Sequence, residues 1–455
     1  MLINEKDNVI VDIATGHKNA RRDIKEGEKV IKYGYPIGIA KCDIAEGEHV
    51  HSHNIRTGLE GILDYKYEPS YKALEKKDTR YFWGYVRDDG SVGIRNDIWI
   101  VNTVGCVNGV AKTLAERTGA LAITHPFGCS QLGDDMSLTQ KVLRGLVNHP
   151  NAGGVLVLGL GCENNNIPLF KTVLGEYDAQ RVRFLECQGV EDEIEEGIKI
   201  IEELKEYASR FERTEVEVSK LKVGLKCGGS DGYSGITANP LVGRFTDKLV
   251  DCGGCAVMTE VPEMFGAETI LMERCIDETV FDKTVSLINN YKNYFASHDQ
   301  PVYDNPSPGN KAGGITTLEE KSLGCITKGG TATVVDVIGY GETAQNHGLT
   351  LLDGPGNDIV ACTNLTAAGC HIILFTTGRG TPLGAPVPTV KIATNPSLAG
   401  KKNNWIDFNA GSLLSGDDLD EDFFNYVISV ANGEKTKNEI NKFQEISIFK
   451  DGVVL

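Results

Sequence analysis

The sequence has no long apolar run, and this absence limits the kinds of protein it can encode. None of its hydrophobic stretches approaches the ~20 residues that a membrane-spanning helix requires. The first residues, MLINEKDNVIVDIATG, also lack the basic start and the apolar centre of a secretory signal peptide. The sequence therefore predicts a cytoplasmic protein that does not associate with a membrane.

Positive charge is scarce as well. The 46 lysines and arginines are outnumbered by 63 aspartates and glutamates, which gives a net charge of −17. Nucleic acids and anionic membranes bind clustered basic surface, so neither is expected as a partner. A small anionic substrate needs only a few local cations and stays compatible with this composition.

Fingerprints of nucleotide binding are missing too. The glycine-rich segment GGSDGYSG lacks the Gly-Lys-Ser/Thr ending of a Walker loop, and GLGCEN does not fit GxGxxG. This argues against a nucleotide-dependent oxidoreductase.

The pattern of apolar, polar and periodic segments changes along the chain. It predicts several domains, as expected for 455 residues. Residues 1–63 hold short β-rich runs, within which DIKEGEKV recurs as DIAEGEHV, so we expect a small self-similar β module. Residues 64–82 are polar and aperiodic, like a linker. Beyond them, continuous apolar runs alternate with helical patterns, which predicts α/β domains with parallel sheets at 83–220 and 221–455.

Four of the predicted strands end next to a glycine–cysteine pair. In open α/β sheets, ligands bind outside the carboxyl ends of the strands. Thiolates there favour zinc, iron or an iron–sulfur cluster, although their spacing resembles no CxxC zinc site. The alternative is that these thiols merely pack in the core. The four residues are Cys106, Cys129, Cys162 and Cys227.

Polar residues near the predicted strand ends suit a polyhydroxylated anion. They combine carboxylates, amides, a hydroxyl and a guanidinium able to grip a carboxylate. Glu260 and Glu263 could bind a metal or transfer a proton, or could simply begin a helix. The predicted substrate-binding residues are Glu163, Asn164, Ser230, Asp231, Asn310 and Arg379.

The candidates for proton transfer are histidines and one lysine. His125 could be a base, a metal ligand or a satisfied buried imidazole. Lys311 could neutralise an enolate or cap a loop. His49, His51 and His53 alternate, so they would share one face of a strand, unless they are solvated surface residues.

Longer motifs carry a resemblance to a known family. They include ATGHK (14–18), HVHSHN (49–54), FGCSQLGDD (127–135), CGGSDGYSGITANP (227–240), TEVPEMFGAE (259–268) and FTTGRGTPLGAPVPTVKIATN (375–395). Over nearly its whole length, the chain resembles the altronate dehydratase family, which includes galactarate dehydratase and sulfolactate sulfo-lyase relatives.

The resemblance implies an architecture and an activity. It implies an SAF-like β-clip, a linker, an α/β middle domain that forms a homodimer interface, and a variant Rossmann-like C-terminal domain. It implies dependence on Fe2+, with Mn2+ or another divalent ion as the alternative. The implied reaction is loss of water from D-altronate to give 2-dehydro-3-deoxy-D-gluconate in hexuronate (galacturonate) catabolism. The alternatives are a lyase acting on galactarate or sulfolactate, and a non-catalytic sugar-acid sensor.

A mechanism can be assembled from these residues as a hypothesis. Some of the four cysteines would hold iron, which stabilises an enediolate. His125 or Lys311 would remove the C2 proton, and His17 or His53 would protonate the departing hydroxyl. The polar residues named above would orient the substrate.

Overall fold

The N-terminal module is built from two small antiparallel sheets. The computed structural model describes residues 1–59 and 61–452. One sheet has the order β1-β2-β5 and the other β3-β4-β6. The strands are β1 (Val9–Val11), β2 (Lys18–Ala20), β3 (Lys29–Lys32), β4 (Tyr35–Ala40), β5 (His49–Val50) and β6 (Ile55–Arg56).

The repeated octapeptides of this module pair with each other. Ile24 and Ile44, at equivalent positions of the two copies, form an antiparallel bridge. Asp23 accepts a hydrogen bond from the backbone N–H of Glu46 at 3.0 Å, and Asp43 accepts one from Glu26 at 2.9 Å. The repeat in the sequence is therefore a local two-fold pseudosymmetry in the structure.

A strap without helix or strand, residues 64–80, connects this module to the rest of the chain. It lies against the C-terminal domain. The Tyr65 hydroxyl donates to Glu268 at 2.6 Å, and the Tyr67 hydroxyl donates to the carbonyl of Cys275 at 2.9 Å. The strap is thus bound along its course.

The middle domain holds a parallel sheet with the order β10-β9-β11-β12 and an antiparallel sheet with the order β13-β7-β8. Strand β11 is buried along its whole length, as its apolar sequence predicts. The elements are β7 (Tyr81–Val86), β8 (Val92–Gly93), β9 (Asp97–Asn102), α1 (Asn108–Thr118), β10 (Leu121–Ile123), α2 (Gly133–Val147), β11 (Ala152–Gly159), α3 (Ile167–Leu174), β12 (Val182–Glu186), α4 (Glu193–Ala208) and β13 (Arg213–Glu217).

The C-terminal domain surrounds a seven-stranded sheet whose neighbouring strands are all parallel. Its strands are β14 (Lys222–Cys227), β15 (Cys255–Met258), β16 (Val334–Ile338), β17 (Gly348–Leu352), β18 (Ile372–Thr377), β19 (Thr389–Ala393) and β20 (Phe408–Asn409). Its helices are α5 (Ala238–Asp251), α6 (Glu268–Met272), α7 (Glu278–Ser297), α8 (Pro308–Ala312), α9 (Leu318–Ile326), α10 (Asp358–Ala367), α11 (Pro396–Lys401), α12 (Asp420–Ala431) and α13 (Lys437–Ile440).

The strand order β16-β17-β15-β14-β18-β19-β20 creates a switch point beside β14. The chain proceeds from β14 to one side of the sheet, and β18 later adds on the other side. Crevices of this kind bind ligands in α/β proteins. The predicted α/β fold class, with a small β module before parallel-sheet domains, is confirmed. Among the described residues, no helix is both long and apolar enough to cross a bilayer.

Candidate functional site

A cleft of about 810 Å³ opens at the carboxyl edge of the seven-stranded sheet. Its floor includes Cys227, the last residue of β14, and Glu263, which ends a short 3-10 helix after β15. The loop and helix around Asn305–Lys311 form one wall, and Asn357 and Asp358 at the start of α10 contribute to another. The cleft therefore lies where parallel-sheet topology predicts a ligand site.

Two thiols and two carboxylates converge beneath this cleft. One ligand atom from each of Cys227, Glu260, Glu263 and Cys325 lies within 4.8 Å of the others, and all four residues are buried. The Sγ atoms of Cys227 and Cys325 are 3.6 Å apart, and Cys227 Sγ is 3.6 Å from Glu263 Oε2. We call these four residues the Cys/Glu centre.

Three lysines balance the charge of this centre, and two of them, Lys226 and Lys328, are fully buried. Lys226 and Lys328 both bind the Glu260 carboxylate, the second at 2.7 Å. Lys321 binds Glu263 Oε1 at 2.8 Å. Although burial alone would raise the pKa of the Glu263 carboxyl, the ammonium groups of Lys321 and Lys226 hold it below its ordinary value.

The thiols of the centre differ in acidity. A hydrogen bond from Cys325 lowers the pKa of Cys227, and the same bond raises the pKa of Cys325 well above its ordinary value. Lys328 Nζ lies 3.1 Å from Cys325 Sγ. Cys227 is therefore the thiol that ionises first, and a thiolate is the form that binds metals.

The donor set fits a divalent first-row metal. Two sulfurs with carboxylate oxygens at bonding separation suit iron or zinc better than magnesium or calcium, which take oxygen ligands. The Glu263 Oε2 atom faces Cys227, whereas Oε1 is bound by Lys321. Cys227 Sγ and Glu263 Oε2 therefore face each other, while Cys325 Sγ is contacted by Lys328 at 3.1 Å.

The wall of the cleft is fixed by amide contacts. Lys321 Nζ also binds Asn305 Oδ1 at 3.0 Å and Asn310 Oδ1 at 3.4 Å. Ser307 caps α8 through a reciprocal pair of bonds with Asn310, whose Nδ2 donates to the Ser230 carbonyl at 2.8 Å. The predicted residue Asn310 thus holds the wall together, while the half-buried Lys311 lines the cleft.

The other residues predicted near β14 and β18 lie beside the cleft. Ser230 is buried, and Asp231 accepts hydrogen bonds from Thr394 at 3.0 Å and Asn395 at 3.1 Å. Burial raises the pKa of the Asp231 carboxyl. Arg379 is exposed, with Nη1 3.4 Å from the carbonyl of Gly309.

Three of the four predicted metal cysteines lie in the middle domain, apart from Cys227. Cys106, Cys129 and Cys162 are exposed after the neighbouring strands β9, β10 and β11. Within residues 1–59 and 61–452, the one group of three or more close metal-ligand atoms includes Cys227 but none of these three. Cys227 is therefore paired with Cys325, and the other three predicted cysteines lie together at a separate edge of the middle-domain sheet.

Backbone hydrogen bonds hold the three thiol-bearing loops together. The Gly105 N–H donates to the Phe127 carbonyl at 2.8 Å, and the Asn165 N–H donates to the Gly128 carbonyl at 3.0 Å. A Cβ at Gly128, where φ is +98°, would lie 1.9 Å from the Thr103 carbonyl oxygen. Only glycine allows the loops to approach this closely.

Glu163 and Asn164, which follow Cys162, form hydrogen bonds that hold the same loops together. Glu163 accepts hydrogen bonds from the Thr103 hydroxyl at 2.7 Å and the Gly161 N–H at 2.6 Å. Asn164 Oδ1 accepts the Ser130 N–H at 2.8 Å. These contacts occupy the side chains that the sequence assigned to substrate binding.

His125 is a satisfied buried imidazole. Its Nε2 donates to the Asn102 carbonyl at 2.8 Å, and its Nδ1 accepts the Phe127 N–H at 3.1 Å. Because Nδ1 accepts an N–H, this geometry requires the neutral ring, and burial lowers the pKa of His125 in the same direction. Of the three roles open to His125 in the sequence, this geometry fits the structural one, because both nitrogens are engaged.

His17 and His53 belong to a group of four imidazoles on the N-terminal module. His17 Nδ1 lies 3.1 Å from His49 Nε2, and His51 Nε2 lies 2.9 Å from the Lys311 carbonyl oxygen. The imidazole group therefore abuts the loop that forms the cleft wall.

Part of the Cys/Glu centre has little or no signal in the sequence. Cys325 follows Gly324, so the glycine–cysteine signal was present, but it occurs in helix α9 rather than at a strand end. The buried lysines Lys226 and Lys328 carry no sequence signal, because lysine is usually exposed.

Comparisons with known proteins match the whole architecture. Family models described as the altronate/galactarate dehydratase SAF domain, the second domain of D-galactarate dehydratase/altronate hydrolase, and the C-terminal domain of D-galactarate/altronate dehydratase match residues 2–58, 84–209 and 218–454. The first match confirms the SAF-like module.

Similar proteins extend over nearly the full chain. An altronate dehydratase of Bacillus subtilis is 54% identical, covering 98% of this chain and 93% of the relative. One from Escherichia coli is 53% identical with the same coverage, and an Escherichia coli galactarate dehydratase (L-threo-forming) is 33% identical over 94% of this chain and 87% of its own. The chain therefore belongs to the galactarate/altronate dehydratase family.

Proposed function

We propose that this protein is a hydro-lyase that converts D-altronate to 2-dehydro-3-deoxy-D-gluconate in a reducing, cytoplasmic setting. The observation that carries the proposal is the identity of 53–54% to altronate dehydratases across 98% of the chain. The polar cleft over the Cys/Glu centre supports it, because a sugar acid needs cations and amides around its carboxylate and hydroxyls.

The reaction requires two proton transfers in the cleft. A base takes the C2 proton, the C3–O bond breaks, and a proton from an acid leaves with the hydroxyl as water. The enol that remains becomes the 2-keto acid when C3 takes up a proton. The intermediate is dianionic at its carboxylate, so nearby positive charge stabilises it.

Residues of the cleft fit these tasks. Lys311 lines the cleft and is the proposed base or charge-neutralising group. Asn310 and Lys321 fix the wall against which the substrate would lie. His17 or His53 of the N-terminal module is the proposed acid, and Arg379 the proposed outer contact for a carboxylate.

We infer that Fe2+ is the metal of the site, held by Cys227, Cys325 and Glu263. When bound, it supplies a Lewis acid for the carboxylate and the enediolate oxygens. Cys106, Cys129 and Cys162 remain predicted metal ligands, and a homodimer formed through the middle domain remains a prediction from the resemblance.

The test is turnover in anaerobic, iron-loaded protein on a panel of altronate, galactarate and sulfolactate. We expect the 2-keto acid product from altronate, with much weaker turnover of the other two. Binding of altronate without turnover would instead identify a sensor, and preference for galactarate or sulfolactate would identify a sister lyase.

A matched pair of serine variants tests the centre. Cys227→Ser should lower kcat more than about 100-fold, since even outer partners of a metal cost 10–100-fold. Cys275→Ser is the control, because its buried thiol contacts Thr284 at 3.3 Å and a hydroxyl can keep this contact. Equal activity and equal iron content in both variants would contradict the assignment.

A further inference from the structure

The two thiols of the Cys/Glu centre are close enough to react with each other. All twelve cysteines of the chain are free, and the sulfurs of Cys227 and Cys325 are in contact at 3.6 Å. The sulfurs of a disulfide are about 2.05 Å apart. They would therefore have to approach by about 1.5 Å, which is less than a change of side-chain rotamer produces.

The two thiols differ in their access to small molecules. Among the described residues that line the cleft of about 810 Å³, Cys227 is the one cysteine. Both thiols also border a small internal cavity next to Tyr33 and Ile315, so the sulfurs have free space on that side. A reagent that enters through the cleft therefore meets Cys227 first, and Cys325 is the sulfur waiting behind it.

A positive charge lies beside the second sulfur. Lys328 Nζ is 3.1 Å from Cys325 Sγ, and the same ammonium binds Glu260 at 2.7 Å, which fixes its position. An ammonium next to a cysteine stabilises negative charge on the sulfur as the proton leaves. The pair thus combines an accessible thiol with a second thiol that has a cation at its side.

We propose that Cys227 and Cys325 form a reversible dithiol–disulfide pair, which a hydroperoxide oxidises when no metal is bound to the two sulfurs. The Cys227 sulfur attacks hydrogen peroxide, the O–O bond breaks, and a sulfenic acid and one water result. The Cys325 sulfur then attacks the sulfenic sulfur, the S–O bond breaks, and hydroxide leaves with the Cys325 proton as a second water. The two thiols lose two electrons in total, and the peroxide takes them up.

The disulfide would remove two sulfurs from metal binding, because thiolates are the metal-binding form of cysteine. Reduction by a dithiol would restore them. The sulfur contact alone carries the prediction of the disulfide. The expectation that a bound metal protects the pair rests in addition on the proposed metal assignment.

Mass spectrometry of the intact chain tests the proposal without any variant. Metal-free protein is treated with hydrogen peroxide, its remaining thiols are alkylated, and the digest is searched for linked peptides. We expect a peptide pair joined through Cys227 and Cys325, and we expect dithiothreitol to return both thiols. The proposal is overturned if both stay alkylatable after the exposed Cys162 has been oxidised, or if Cys227 becomes a sulfinic acid while Cys325 stays free.

Matched serine variants and zinc complete the experiment. Without its partner, Cys227 in Cys325→Ser should pass to the irreversible sulfinic acid, so that its recovery by dithiothreitol falls at least tenfold. Cys275→Ser, which removes a buried thiol bound to Thr284, should still form the link. Zinc has no redox chemistry, so zinc-loaded protein should form the link at least tenfold more slowly. A link that forms equally fast with zinc would support the dithiol pair and contradict the metal assignment, which separates the two failures.

Discussion

Glu163 to Asn166 show how far single residues could be interpreted from sequence. Their polar character after a buried strand predicted contacts with a ligand, but three of the four bind neighbouring loops or side chains and Asn166 caps α3. Capping and loop contacts use the same amides and carboxylates as a binding site, so residue type alone cannot separate the two. Cys227, in contrast, was predicted at a site because strand topology fixed its position.

At the residue scale, alanine substitutions at two glycines test the packing of the thiol-bearing loops. Gly128→Ala places a Cβ against the Thr103 carbonyl at a positive φ, so we expect a loss of about 2–4 kcal/mol in the free energy of unfolding. Gly109→Ala, in α1 with no atom within 4 Å of the added Cβ, should be neutral or stabilising by up to about 1 kcal/mol. Chemical denaturation of both variants measures this difference, and equal stabilities would contradict it.

At the scale of elements, the sequence predicted the buried parallel strands better than the exposed ones. The apolar run of β11 was recognised, because strands buried on both faces are continuously hydrophobic. The predicted domain boundary between residues 220 and 221 directly follows the charged segment ERTEVEVSK, which contains β13 and pairs with β7 across more than a hundred residues. Only one residue of β13 is fully buried, so it lacks the apolar pattern of a strand.

Helix α9 docks the N-terminal module through a buried carboxylate. Glu320 binds Lys18 at 2.8 Å and Lys32 at 2.7 Å, and these ammonium groups hold its pKa well below the ordinary value despite burial. Glu320→Gln leaves two buried cations without their counter-charge, which should cost about 3–5 kcal/mol.

We expect this loss to appear mainly at the interface. Hydrogen exchange should rise in residues 7–56 of the N-terminal module and in α9. Glu68→Gln removes an exposed ion pair with Lys66 and should cost less than about 1 kcal/mol. A uniform change in exchange across all domains would indicate global destabilisation instead.

At the scale of the whole molecule, two buried histidines join the middle and C-terminal domains. His149 Nε2 lies 3.1 Å from the Cys370 carbonyl oxygen, and the His149 ring meets the His371 ring edge-on with centroids 6.2 Å apart. Within the C-terminal domain, His371 Nδ1 accepts the Lys222 N–H at 3.0 Å. Burial, followed by the charge of Lys222, lowers the pKa of His371 to about 3.

Because of His371, we expect the free energy of unfolding to fall at acid pH. The unfolded chain binds more protons between pH 6.5, the ordinary pKa of histidine, and pH 3, so stability falls as the pH drops through this range. His371→Asn removes the titrating group and keeps an acceptor. Between pH 6.5 and pH 4.5 the wild type should lose about 2 kcal/mol more than this variant. Urea unfolding at both pH values measures the difference, and parallel losses would exclude the mechanism.

The strap at residues 64–80 tethers the N-terminal module to the rest of the protein. If the ionic contacts at Glu320 open, the module stays attached at a high local concentration, and its return is a unimolecular event. Dilution of the protein therefore cannot separate the imidazole group of this module from the cleft wall. The rates at which the module dissociates from α9 and binds again would depend on the length of the strap and on the salt concentration. They would not depend on the protein concentration.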